Sequence, residues 1–178
     1  MSQLVGLYGP SGCGKTRFVE ALVNRLALQG YSCRGVCSPA VFADDLKIGI
    51  QAKLIPSGEQ RPLAKLAKGG EPNLFGKWQM FPEALAWALA YLQEEQACDV
   101  YVIDELGPYE VEQGLGWAAL LPRLELLPAT VTLITFRPSL QAYFSSRYPQ
   151  ANMFNLEEEN QRSKAALQIE ELLSQTNR

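Results

Sequence analysis

Residues 9–16 read Gly-Pro-Ser-Gly-Cys-Gly-Lys-Thr and fit the pattern G-x-x-x-x-G-K-[ST] without a mismatch. Such a loop wraps a phosphate chain in backbone N–H groups. Gly9, Gly12 and Gly14 carry no Cβ and let the backbone turn and come close, with Pro10, Ser11 and Cys13 completing the loop. Lys15 can bring a point charge to the terminal phosphates, and the Thr16 hydroxyl can ligate a magnesium ion that bridges them. A second chemical signal is Asp104-Glu105, which ends the apolar run of residues 100–103. Asp104 suits a magnesium ligand, direct or through water. Glu105 suits a base that orients and deprotonates an attacking water, a role left to a carboxylate because the chain contains no histidine. Arg137 follows another apolar run and could neutralise charge that develops on a γ-phosphate. Its alternative is an exposed arginine, or one paired with Glu110 or Glu112.

These residues need a scaffold. Residues 4–8 are a short apolar run suited to a buried parallel strand. Residues 16–29 then carry Phe18, Val19, Leu22, Val23 and Leu26 at helical spacing, with Gly30 placed to cap the end. The loop thus has the strand before it and the helix after it that the motif requires; a glycine turn without a ligand is the alternative. Further strands are expected over 32–42, interrupted by Pro39, over 47–55 and over 60–66, with turns at 43–46 and 56–59. The last two strands form an antiparallel excursion. Residues 67–80 are glycine-rich and read as an exposed loop, either a plain connector or a cover for a bound nucleotide. Helices are expected over 82–96, 117–127, from Pro138 onward, and over 158–175. The strands between them are 99–105, 130–136 and 151–156, and 106–116 is a loop on the side of the site. In an open α/β sheet ligands sit at the carboxyl ends of the strands, which puts Asp104, Glu105 and Arg137 beside the phosphate loop.

At 178 residues, the expectation is a single domain spanning 1–178. The chain is 47% hydrophobic and 20% charged with a net charge of -3, so nothing draws it to nucleic acid or to an anionic membrane. No apolar run is long enough to span a bilayer and residues 1–8 are already the first strand, so a cytoplasmic location is expected. Cys33, Cys37 and Cys98 read as buried reduced thiols, whereas Cys13 sits inside the loop near a helix N-terminus, a setting that favours a more acidic thiol.

The ordered pattern resembles the P-loop NTPases, and the glutamate after Asp104 resembles their RecA-like branch, in which a strand is inserted between the phosphate-loop strand and the aspartate strand. The finer resemblance is to the small nucleoside-triphosphatases of the THEP family. It rests on Gly9–Thr16, on Gly35-Val36-Cys37-Ser38 with Lys47-Ile48-Gly49-Ile50, and on Gly76-Lys77-Trp78. It rests also on residues 102–107 with Glu110-Val111, and on Glu158-Glu159-Asn160. The resemblance implies a three-layer α/β sandwich. Its mostly parallel, RecA-like sheet would carry helices on both faces and an antiparallel hairpin excursion near residues 40–66. It further implies magnesium-dependent hydrolysis of ATP, GTP and other nucleoside triphosphates, with loose base preference, and places Asn160 near the base. The sequence departs from the family at Pro108, where a lysine is usual, and at Gln161, which precedes Arg162 where an arginine is usual. A small-molecule or nucleotide kinase and a nucleotide-dependent switch are the competing readings. No arginine-rich lid supports the first, and no N-K-x-D supports a guanine-specific form of the second.

Overall fold

A computed structural model describes residues 1–94 and 96–176. Strand β1 (Gln3–Tyr8) leads through the glycine loop into helix α1 (Lys15–Leu28). Among the described residues the helix has no side-chain N-cap and no acidic residue in its first turn. Its N-terminal N–H groups therefore face the loop as an anion-attracting end. Gly30, at φ 92°, takes the left-handed conformation just beyond the helix. Then come β2 (Cys33–Cys37), β3 (Ala40–Ala43), β4 (Leu46–Ile55), β5 (Gln60–Leu66), β6 (Leu74–Phe75) and β7 (Trp78–Met80). Helix α2 (Pro82–Gln93) precedes β8 (Cys98–Ile103) and the one-turn α3 (Pro108–Val111). A 3₁₀ segment (Ala118–Leu126) leads to β9 (Ala129–Phe136), and α4 (Gln141–Arg147), β10 (Asn152–Asn155) and α5 (Glu159–Thr176) follow.

The described strands form one sheet in the order β10-β1-β9-β8-β2-β4-β5-β7-β6, with β3 on β4. From β10 to β2 every pairing is parallel; from β2 onward every pairing is antiparallel. β9 is the strand inserted between β1 and β8. Alternate residues of each central strand feed two cores. Val100 and Val102 of β8 pack with Val19, Leu22 and Leu26 of α1 and with Ala165 and Ile169 of α5. Tyr101 and Ile103 pack with Leu85, Ala88 and Leu92 of α2, with Leu120 and Leu124, and with Phe144 of α4. Helices thus cover both faces, as expected, and the antiparallel excursion is present.

Four local expectations are corrected. Residues 67–80 are not all loop, because β6 and β7 form a hairpin whose second strand extends the sheet beyond β5. Residues 106–116 contain α3. The segment expected as a helix over 117–127 is 3₁₀, with Leu120 N–H bonded to the Trp117 carbonyl. Pro122 lies inside it, and an α-helix there would lose an i→i−4 bond and collide with the carbonyl four residues earlier. Helix α2 stops at Gln93, not at residue 96; residue 95 of that expectation lies outside the described residues. The buried Arg34 guanidinium accounts for the stop. It lies 3.7 Å over the Tyr91 ring and donates to the Tyr91 carbonyl, to Glu94 and to Gln96, closing the helix end against β2.

Candidate active site

The phosphate loop, the end of β8 and the end of β9 meet at the carboxyl edge of the parallel sheet. The register forces this, because Ile103 of β8 lies beside Ile134 of β9, and Gly6 of β1 lies on the other side of Ile134. Gly12 and Gly14, at φ 85° and 95°, hold conformations that a side chain would strain, and so turn the loop back over β1. Lys15 is only 5% exposed, and its ammonium donates to the Gly9 carbonyl at 2.8 Å and the Pro10 carbonyl at 3.3 Å. It also lies 3.4 Å from Glu105 Oε2. Arg137 Nε donates to Glu105 Oε1 at 3.2 Å. The structure therefore brings Lys15, Glu105 and Arg137 into one ion-paired cluster. Arg137 is exposed, as one alternative expected, but its partner is Glu105 and not Glu110, whose carboxylate is turned inward and accepts from the N–H groups of Gly107 and Trp117.

Asp104 is fully buried. Its Oδ2 accepts from Ser38 N–H at 2.9 Å and its Oδ1 accepts from Thr135 Oγ1 at 2.5 Å. Burial pushes the Asp104 carboxyl above its usual range. The bonds from Ser38 and Thr135 pull it back, Glu105 adds a smaller push upward, and the nearby Thr16 hydroxyl a smaller pull downward. Ser38, just past β2, also donates its hydroxyl to the Asp104 carbonyl, so β2 and β8 hold the aspartate between them. The Thr16 hydroxyl, close enough to act on the Asp104 carboxylate, and that carboxylate are the oxygen-only donors that magnesium prefers, with phosphate and water oxygens free to complete its shell. Thr16 and Asp104 thus fit that ion.

Asn160 is exposed in the first turn of α5. Two residues on, the Arg162 guanidinium donates to the Leu156 carbonyl at 2.8 Å and to the Cys13 carbonyl, and lies against Gly14. Sequence reasoning singled out Arg162 only as a displaced family arginine; its reach to the phosphate loop spans 149 residues and has no local signal. Thr135 was likewise missed, and Ser38 stood only within a segment of the family resemblance with no role given, since a hydroxyl beside a strand end looks like any other. Cys13, Cys33, Cys37 and Cys98 are all free thiols. Burial pushes Cys33 up to about 12 and Cys98 up to about 11, so neither is a ready thiolate.

A family model described as NTPase matches residues 4–167. A nucleoside-triphosphatase THEP1 from Caldivirga maquilingensis is 32% identical over 112 residues, 63% of this chain and 63% of that relative. One from Ignicoccus hospitalis is 29% identical over 108 residues, 61% of each. The chain thus spans under two thirds of the length of these curated relatives. Among solved structures, THEP1 from the hyperthermophile Aquifex aeolicus superposes with a TM-score of 0.72 at 20% identity, covering 96% of this chain and 99% of that one. The solution structure of a human cancer-related nucleoside triphosphatase also gives 0.72, at 22% identity, covering 97% and 98%. At those identities the likeness speaks for the fold, that of a P-loop NTPase.

Proposed function

The chain belongs to the NTPase family, and from that membership we propose that it hydrolyses nucleoside triphosphates to the diphosphate and phosphate with the help of magnesium. The observation that carries this reading is the position of Glu105. Its carboxylate stands where the phosphate loop meets the ends of β8 and β9, paired at once to Lys15 and Arg137. Both cations are natural phosphate partners. A triphosphate seated in residues 9–16 offers them its own oxygens, and Glu105 is released to accept a proton. Water then attacks the γ-phosphorus, the bond to the β–γ bridging oxygen breaks, and the water proton passes to Glu105. Arg137 and Lys15 meet the negative charge that spreads over the transferred group. Thr16 and Asp104 would hold the magnesium ion, which supplies charge neutralisation on the phosphates when bound. Arg162, which reaches the Cys13 carbonyl and lies against Gly14, and Asn160 in the same first turns of α5 are suited to the nucleoside end. A loose base preference is part of this reading: it is what the family resemblance implies, and the sequence carries no N-K-x-D to select guanine.

Glu105→Gln tests the assignment. It keeps the shape and removes the base, so the dissociation constant of a triphosphate should change little while kcat falls by on the order of a hundred- to ten-thousandfold. Turnover by Glu105→Gln at the parental rate would overturn the role given to Glu105.

A further inference from the structure

The antiparallel excursion does more than widen the sheet. β2 pairs with β4 only through Gly35–Cys37 and Lys53–Ile55. The part of β4 before Lys53 therefore runs past the carboxyl end of β2, flanked by β3 and β5, and overhangs the edge where the candidate site lies. β7 extends this overhang, and Phe75 of β6 meets Tyr109 edge to face at 5.0 Å, which ties it to α3, the helical turn that follows Glu105. Lys47 sits on this overhang, directly after its turn. Its ammonium lies 5.4 Å from the centre of the Trp78 ring, and Lys77 lies 5.3 Å from the same centre. The other charges that act on Lys47 are Glu105, Arg137 and Lys15, the three members of the candidate site. Burial and the three neighbouring cations depress the Lys47 ammonium, with Glu105 opposing them. A cation in that company is held close to its own kind, an arrangement that an anion of several charges relieves.

We propose that Lys47 is a further phosphate-contacting residue, delivered to the terminal phosphate of a bound triphosphate by the β3–β4 hairpin and oriented by the Trp78 ring. This rests on the triphosphate reading of the site. It adds that the γ-phosphate is read from two sides, by Lys15 from the loop and by Lys47 from the overhang, so that the protein tells a triphosphate from a diphosphate before any chemistry.

The test is calorimetric titration of the whole chain, with magnesium present, against a non-hydrolysable β,γ-imido triphosphate and against the matching diphosphate. Loss of a charge-assisted hydrogen bond predicts that Lys47→Ala weakens the triphosphate analogue by about ten- to a hundredfold. The diphosphate affinity should stay within about twofold, since that ligand lacks the contacted group, and Lys47→Arg should restore most of the preference. Should the alanine variant melt early, Lys47→Met keeps the apolar stem over Trp78 and gives the same readout. An unchanged affinity for the triphosphate analogue would overturn the proposal, as would equal weakening of both ligands. Failure of the hydrolase reading looks different. The parental chain would bind the analogue yet release no phosphate from a true triphosphate, and the di- to triphosphate ratio would still decide the role of Lys47.

Discussion

Glu105 and Glu110 are five residues apart and meet opposite surroundings. Glu105 is paired to two cations at the sheet edge. Glu110 is 6% exposed and is held by the N–H groups of Gly107 and Trp117. Burial outweighs those bonds and raises its carboxyl from 4.5 to about 7. Between those two values the folded chain holds the Glu110 proton more tightly than the unfolded chain does. Its contribution to stability is therefore full below pH 4.5 and is lost as pH rises through about 7. Glu110→Gln removes that titration. Urea unfolding of both chains from pH 5 to pH 8 should show the parental protein losing stability relative to the variant, by up to about 3 kcal/mol for a shift of this size. Parallel pH profiles would contradict the buried, protonatable Glu110.

At the scale of elements, the site depends on how closely β2 approaches β8. Gly35, at φ 144°, is the contact point, and a Cβ there would stand 2.0 Å from the Val102 carbonyl oxygen. Gly35→Ala must push the strands apart or bend β2, and Ser38 then moves off Asp104. A loss of about 2–4 kcal/mol, read as a lower urea midpoint, is the expected result; an unchanged midpoint would show that the strands have room the geometry denies. The elements themselves were largely legible in the sequence. The strand–loop–helix unit, the strand ending in Asp104-Glu105 and the excursion over 40–66 each carry a period or punctuation of their own. What was not legible lay in longer-range contacts. The end of α2 depends on Arg34 from another element, the β6–β7 hairpin gains its stability from β5, and Arg162 reaches the loop only after the chain has returned through β10. Pro122 was the exception, a local signal against an α-helix that the apolar spacing of 117–127 concealed.

On the scale of the whole molecule, three neighbouring parallel strands, β1, β9 and β8, deliver the phosphate loop, Arg137 and Asp104-Glu105 to one edge, and the antiparallel half leans over that edge with Lys47 and Trp78. Among the described residues no helix is long and apolar enough to cross a membrane. The arrangement concentrates its specific groups on phosphates and metal, which is why loose base discrimination is expected. A preference above about a thousandfold would need roughly 4 kcal/mol of differential binding from a dedicated base pocket. The most direct measurement is the release of inorganic phosphate from ATP and from GTP, with magnesium and again after its removal by a chelator. Both triphosphates should be hydrolysed with magnesium, at rates within that thousandfold, and neither without it. A folded, nucleotide-binding chain that releases no phosphate from either in the presence of magnesium would contradict the hydrolase account.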